Sequence, residues 1–385
     1  MKIVHCCFGM EHYLDTWGYQ QNILPMYHAK RGHETTVLAS NDTYPQMAGD
    51  KLIEEIRSKG NNYFNGLVFV RRISSWFPKF LHFQKAKGLL HLLEVEKPDI
   101  IFFHGSLNLS IFSCVRYKKL HPQISLFVDN HADVMNVNTN RLYRWAFFKI
   151  YWSLLHKYCQ INVDKYFGVT IGRCSFLEKY FHISPNKIEL LPIGADVESA
   201  QMIAETKNKL RIKYGLGEDD IILVHGGKLD VRKGTVDLIN AYHTLKQNGY
   251  QKVRLILFGK IEDSRIPSLL SDDILVYNWL SRYQTFELFK LADLAIWPVH
   301  HTTLIEDCIA AGLPYLIRKT ETTQHLINSE YFLEIGSFNE LLDMLERMLA
   351  DNSLQVVRHA VLKMQSNINY YKVADTVIQY HNSRR

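Results

Sequence analysis

The chain has few cysteines, few prolines and no long apolar run, and each shortage removes a class of protein. Its six cysteines (Cys6, Cys7, Cys114, Cys159, Cys174, Cys308) include no C-x-x-C and no zinc-like Cys/His spacing. They read as reduced, mainly structural thiols of a cytosolic protein. There is no internal repeat, no low-complexity tract and no long linker. No segment reaches the roughly 18 uninterrupted apolar residues of a spanning helix, and the opening MKIVHCCFG is too short and wrongly flanked for a secretory signal. Any membrane role is therefore expected to be peripheral. The first glycine-bearing stretch, CCFGMEHYLDTWGYQQN, lacks G-x-G-x-x-G, which argues against a dinucleotide redox enzyme.

Acid is scarce in one half only. Residues 1–190 carry 23 Lys/Arg against 15 Asp/Glu, and the remainder 22 against 24, so the net charge of +6 arises wholly in the first half. That asymmetry suits an anionic partner such as a membrane face or a lipid phosphate. No recognition motif for nucleic acid accompanies the charge, so nucleic acid is not expected as a partner.

What is present is alternation. Short β-rich runs at 2–7, 35–39, 67–73, 99–104, 124–129, 166–170 and 188–192 read as buried parallel strands, with amphipathic stretches between several of them. The stretch 19–31 stops at Gly32 and 85–96 stops before Pro98. The series restarts with runs at 221–225, 253–258, 274–277, 294–297, 314–318 and 332–335. Two successive βα series predict an α/β protein of two doubly wound, Rossmann-like parallel-sheet domains facing across a cleft. The expected division is 1–192 plus a C-terminal helix at about 366–385, and 193–365.

The most informative segment is GGKLDVRKG, residues 226–234, between an apolar strand and an amphipathic helix. Gly226 and Gly227 allow close approach of an anion, the helix start offers free N–H groups, and Lys228, Arg232 and Lys233 add charge. Taken alone, the segment reads more readily as a solvated basic turn.

At Gly227, Lys228, Leu229, Lys233 and Gly234 the chain matches a G-[RK]-L-x-x-x-K-G signature and so resembles the retaining GT-B glycosyltransferases of the family-4 type, the group that includes bacterial surface-polysaccharide enzymes. The resemblance continues through RGHE (31–34), PDIIFFHG (98–105) and LLPIGAD (190–196), where Ile193 replaces the family's usual asparagine. It implies the GT-B fold and metal-independent sugar transfer from a nucleotide-diphosphate donor, with no cofactor beyond that co-substrate. By position Lys228 and Lys233 inherit neutralisation of the diphosphate, where negative charge develops as the glycosyl bond breaks. Gly9 falls where the chain passes closest to acceptor or phosphate, or is a plain strand-end turn.

VDNHAD (128–133) matches the place of a histidine beside the donor sugar, and His131 inherits that contact, with Asp129 and Asp133 placed to orient its ring; His104 and His5 are weaker candidates. The family's two-glutamate motif is only half present in WPVHHTTLIEDCIAAGLP (297–314). The ribose role passes to Glu306 or Asp307, and His301 stands in for the missing first acid. Thr302 and Thr303 are either phosphate contacts or simple helix caps. Asn278 and Trp279 fall where the family lines the base pocket, and Trp279 either stacks on the base or fills core.

RLYRWAFFKIYWSLLHKY (141–158) mixes Arg141, Arg144 and Lys149 with Trp145 and Trp152, and residues 71–87 hold Trp76, Phe77, Phe80 and Phe83 among five cations. Each reads as an interfacial membrane surface, an acceptor-binding surface or a packed helix. A glycan or polyprenyl-diphosphate-linked acceptor, and a place on the inner face of the cytoplasmic membrane, follow from the first reading. Competing functions are a GT-B sugar-nucleotide epimerase and a catalytically degenerate partner subunit.

Overall fold

The structure, a computed structural model, describes all residues except 10–12, 43–49, 78–82, 134–139, 351–352 and 385. The chain folds into two compact units, Met1–Pro192 with Val373–Arg385, and Ile193–Lys372.

In the first unit the strands are β1 (Lys2–Cys7), β2 (Glu34–Ser40), β3 (Asn62–Phe64), β4 (Phe69–Ile73), β5 (Ser75–Trp76), β6 (Lys85–Ala86), β7 (Ile100–His104), β8 (Ser125–Asn130), β9 (Lys165–Gly168) and β10 (Ile188–Leu190). Eight of them form one sheet in the order β10-β9-β8-β7-β1-β2-β4-β3, parallel except for the β3/β4 pair. β7 and β8 are buried at every position because helices cover both faces, so these strands are continuously apolar rather than alternating. β5 and β6 form a separate small hairpin.

The second unit holds β11 (Ile221–Leu229), β12 (Val253–Ile261), β13 (Ile274–Tyr277), β14 (Leu294–Trp297) and β15 (Tyr315–Ile317), all parallel, in the order β13-β12-β11-β14-β15. Its core runs from Leu223 and Val224 through Leu255, Leu257 and Ile296 to Leu341 and Val361.

Strand order reverses at β1/β7 in the first sheet and at β11/β14 in the second. Parallel crossovers leave these pairs on opposite faces, which opens a crevice past their carboxyl ends. Gly9 and Gly105 lie just past the first pair; residues 230–234 and 298–303 lie past the second.

Several sequence expectations change. The run 332–335 makes only a single bridge, Arg318 to Leu333. The run 85–96 splits into β6 and the helix Leu89–Glu96, because Gly88 turns at φ 67° between them.

Candidate functional site

The glycine signal at 226–227 has a steric cause. β11 continues to Leu229, so Gly226 and Gly227 are strand residues and not loop residues. Gly227 pairs with Gly259 of β12. A Cβ on Gly259 would sit 1.9 Å from the Gly227 carbonyl oxygen, and one on Gly226 would enter the Phe258 ring at 2.2 Å. Gly226 is thus required by the Phe258 ring, whereas a Cβ on Gly227 would meet only Leu304 at 3.9 Å, and glycine is favoured there by its φ of 116°.

Past β11, Asp230 caps the turn Val231–Lys233 through the Lys233 N–H and also holds Arg232 at 2.6 Å, so Arg232 is occupied by its own neighbour. Gly234 follows at φ 69°, opening the helix Thr235–Gln247 without a side-chain cap. A Cβ on Gly234 would meet Pro298 at 2.6 Å and Val299 at 2.8 Å. This glycine lets the turn lie against the segment after β14, which brings Lys233 Nζ to donate to the His301 carbonyl oxygen at 2.9 Å. Burial of the ammonium lowers its pKa to about 8. Lys228 is exposed at the end of β11 and makes no hydrogen bond or ion pair among the described residues. The two lysines thus sit in different surroundings, one half-buried and one in solvent.

His225 anchors this corner. Its Nδ1 donates to the Ile296 carbonyl at 2.7 Å and its Nε2 accepts from the Thr235 hydroxyl at 2.9 Å, tying β11 to β14 and to the following helix. Full burial lowers its pKa to about 4, which keeps the ring neutral.

The two acids after β14 have separate partners. Glu306 is buried; His301 Nε2 lies 2.8 Å from its Oε1, while its Oε2 has no hydrogen-bond partner. Asp307 faces Arg282, with its Oδ1 2.8 Å from Nη2, and Arg282 also reaches Asp196 at 3.3 Å. Desolvation raises the Asp307 pKa to about 6 even with Arg282 beside it. Lys233, His301 and Glu306 therefore form one hydrogen-bonded series, and Asp307 belongs to another. No motif in the sequence pointed to Arg282.

Thr303 stands before the helix Leu304–Ala311 without making a side-chain cap, which corrects the simple-cap reading for that residue. Thr302 is half-buried and supplies its carbonyl to the Ile305 N–H. Asn278 is exposed, and Trp279 is 59% exposed, so the core-filling alternative for Trp279 fails.

In the first unit, His131 Nε2 lies 3.3 Å from Asp129 Oδ2. Asp133 instead pairs with Arg173 at 3.2 Å. A Cβ on Gly9 would meet nothing closer than the His104 carbonyl oxygen at 3.8 Å, so sterics do not require glycine there.

The aromatic segment is a continuous helical run, Arg141–Tyr143, Arg144–Trp152 and Ser153–Cys159, whose middle part is π-helical. Trp152 is corrected from a surface residue to a core one. It lies one turn after buried Phe148 and is itself completely buried, with its ring near His156. Trp145, Lys149, Leu142, Ile150 and Leu154 are exposed, and Arg144 is half-buried. The Arg141 side chain and Phe80 lie outside the described residues. Phe83 packs against Phe147 and Tyr151, with ring centroids 6.2 and 5.4 Å apart, so the two aromatic patches read separately in the sequence are neighbours.

No family model matches the sequence, and no curated protein is similar to it. Solved structures are similar along almost its whole length. Sucrose-phosphate synthase from Thermosynechococcus elongatus shares 15% identity over 100% of this chain and 98% of that one, with TM-score 0.69. HepE of Anabaena, solved in complex with UDP, shares 12% over 100% of both chains, with TM-score 0.69. WaaG, a glycosyltransferase involved in lipopolysaccharide biosynthesis, shares 16% over 97% of this chain and 98% of that one, with TM-score 0.63. Likeness at such identities defines the fold, and the chain has the GT-B fold with two Rossmann-like domains.

Proposed function

We propose that this chain is a retaining, metal-independent glycosyltransferase that moves a sugar from a nucleotide-diphosphate donor to a hydroxyl of a glycan or lipid-linked glycan. Its pathway would be the making of a surface polysaccharide such as capsule, O-antigen or exopolysaccharide. The observation that carries the reading is the half-buried Lys233 ammonium beside the uncapped start of the helix Thr235–Gln247, at the reversal point of the second sheet. A cation and open N–H groups at that point suit a diphosphate, and they stabilise it most as it leaves with added charge. HepE is solved with UDP, a diphosphate of this class. Lys228 adds a second charge from solvent, Glu306 Oε2 accepts a hydroxyl of the ribose, and the exposed Trp279 offers a face for the base. His301 takes the place of the absent acid by tying Glu306 to the Lys233 turn. In the first unit His131 meets the donor sugar.

The exposed Leu142, Trp145, Ile150 and Leu154, with Lys149 and Lys157 among them, support peripheral contact with an anionic membrane. No acidic residue occurs between Asp133 and Asp164. No described helix is long and apolar enough to cross a membrane.

The deciding experiment incubates the purified chain with a panel of nucleotide-diphosphate sugars, scoring thermal stabilisation, slow donor hydrolysis and transfer. Stabilisation and hydrolysis by one donor family are expected. Conversion of donor to its epimer would favour an epimerase, and binding without any turnover a degenerate subunit.

A further inference from the structure

Behind His131 the first unit holds a line of buried hydrogen bonds that the proposed transfer does not use. Asp129 is wholly buried on β8; its Oδ1 accepts the Gly105 N–H at 2.6 Å and its Oδ2 lies 2.7 Å from His104 Nδ1 on β7. His104 Nε2 lies 2.9 Å from His5 Nδ1 on β1, and His5 Nε2 lies 3.0 Å from His28 Nδ1 on the helix Gln20–Lys30. His5, His28 and His104 are all buried, and Phe102 stacks on His5. Each gap between nitrogens has room for one hydrogen.

That restriction fixes the direction of the whole line. Burial alone would raise the Asp129 pKa, but the His104 and His131 rings outweigh it and hold the carboxyl well below its usual range. An ionised Asp129 only accepts, so His104 carries its hydrogen on Nδ1. A neutral His104 then offers Nε2 as an acceptor, which places the His5 hydrogen on Nδ1, and the same step places that of His28. Three rings share one tautomer, with Asp129 as the terminus.

We propose that His104, His5 and His28 are positioning residues for His131. Their common tautomer keeps Asp129 an anion, locked on Gly105 and His104, so that its Oδ2 holds His131 through Nε2 in one orientation. This inference rests on the reading that His131 meets the donor sugar. A further proton entering at His28 can pass from ring to ring and emerge as charge on His104, which offsets the anion that His131 leans on. Burial, with His33 nearby, lowers the His28 pKa to about 3 against the opposing effect of the Ala374 backbone beside the ring; burial together with His28 and His104 lowers that of His5. His5 and His28 therefore stay neutral at ordinary pH. The other titratable groups facing it are His33, whose ring centroid is 6.5 Å from that of His28, and Cys7 on β1, whose thiol is pushed up by burial and by Asp129. Asp375 acts on His33, and Arg72 acts on Cys7.

The test uses the full-length chain with ring-¹⁵N-labelled histidine, assigned by His5→Phe, His28→Phe and His104→Phe. At pH about 7 all three rings are expected to show a protonated Nδ1 and a bare Nε2, the opposite of free imidazole. A hydrogen on Nε2 of any of the three at neutral pH overturns the shared tautomer.

In the second arm, His5→Phe is expected to lower kcat for the best donor by about tenfold, with KM changed less than about twofold, and to move the acid limb of the pH profile. His5→Gln, whose amide can donate to His104 and accept from His28, is expected to recover most of the rate. An unchanged kcat and profile in His5→Phe overturns the positioning role and leaves the transfer reading intact. Absence of turnover in the wild type overturns the transfer reading, while the ring spectra still decide the tautomer. If His5→Phe fails to fold, His5→Gln and the wild-type spectra carry the test.

Discussion

Lys233 donates to the backbone carbonyl of His301, and no carboxylate pairs with its ammonium among the described residues. A half-buried cation hydrogen-bonded to a neutral acceptor retains much of its field for an incoming anion.

Lys233→Met is expected to weaken use of the nucleotide-sugar donor by at least about tenfold, the effect of losing a charge-assisted contact. Lys228→Ala is expected to do the same from the solvent side. Donor titration by thermal shift and steady-state kinetics measure both. With its pKa lowered to about 8 by burial, Lys233 is charged below that pH and loses its proton above it. Donor affinity in the wild type should therefore fall as pH rises through about 8, and Lys233→Met should lack that fall. Normal turnover in both variants would remove the diphosphate assignment.

Glu306 and Asp307 are adjacent in sequence but differ in what they hold. Glu306→Gln is expected to raise the donor Kd by about tenfold, since it alters a buried oxygen without a partner. Asp307→Asn leaves Arg282 facing only Asp196, so its main effect should be a loss of stability of about 1–3 kcal/mol. Urea unfolding alongside nucleotide binding separates the two. The reverse pattern would move the ribose to Asp307.

His131→Ala is expected to lose more turnover than nucleotide affinity, because its ring belongs with the sugar and not the base. Calorimetric binding of the nucleoside diphosphate, compared with kcat, is the measurement. Equal losses would place the ring on the nucleotide.

Acid should destabilise both units. His28, His156 and His225 are buried with pKa values lowered by desolvation to about 3, 4 and 4. In the unfolded chain they regain ordinary values near 6.5, so the unfolded state binds more protons between the two limits. Their contribution is complete above about pH 6.5 and is lost on acidification at about 1.4 kcal/mol per pH unit for each ring. Melting curves from pH 7 to 4.5 should show a steep fall in Tm, and His156→Gln should make that fall shallower.

Vesicle sedimentation tests the aromatic surface. The double variant Trp145→Glu with Leu154→Glu is expected to abolish binding to vesicles rich in phosphatidylglycerol, and salt should weaken binding of the wild type. Equal binding to neutral phosphatidylcholine vesicles would contradict the electrostatic part. Both side chains are exposed, so the fold should survive the change.

Much of the layout was legible in the sequence because it rests on local rules. Continuous apolar runs such as IIFFH and LAIW became fully buried strands, and Gly32 ended the helix Gln20–Lys30 at φ 81°. The site was legible only in part. The glycines of GGKLDVRKG stood out, yet Gly226 answers to the close approach of Phe258 about thirty residues away and Gly234 to Pro298 and Val299 further still. Trp152 and Trp145 look alike in an aromatic run, and helical phase alone separates them; a π-helical segment shifts that phase.

By itself the sequence determined the two parallel βα series, the positions of the turns and the excess of positive charge in the first half, since hydrophobic period, turn chemistry and charge are properties of neighbours along the chain. Only the tertiary structure decided that Glu306 answers to His301 while Asp307 answers to Arg282. It also decided that three histidines from two strands and a helix line up behind Asp129. Hydrogen bonds and burial depend on which strands become neighbours, and that is set by the packing of the whole sheet rather than by any one segment.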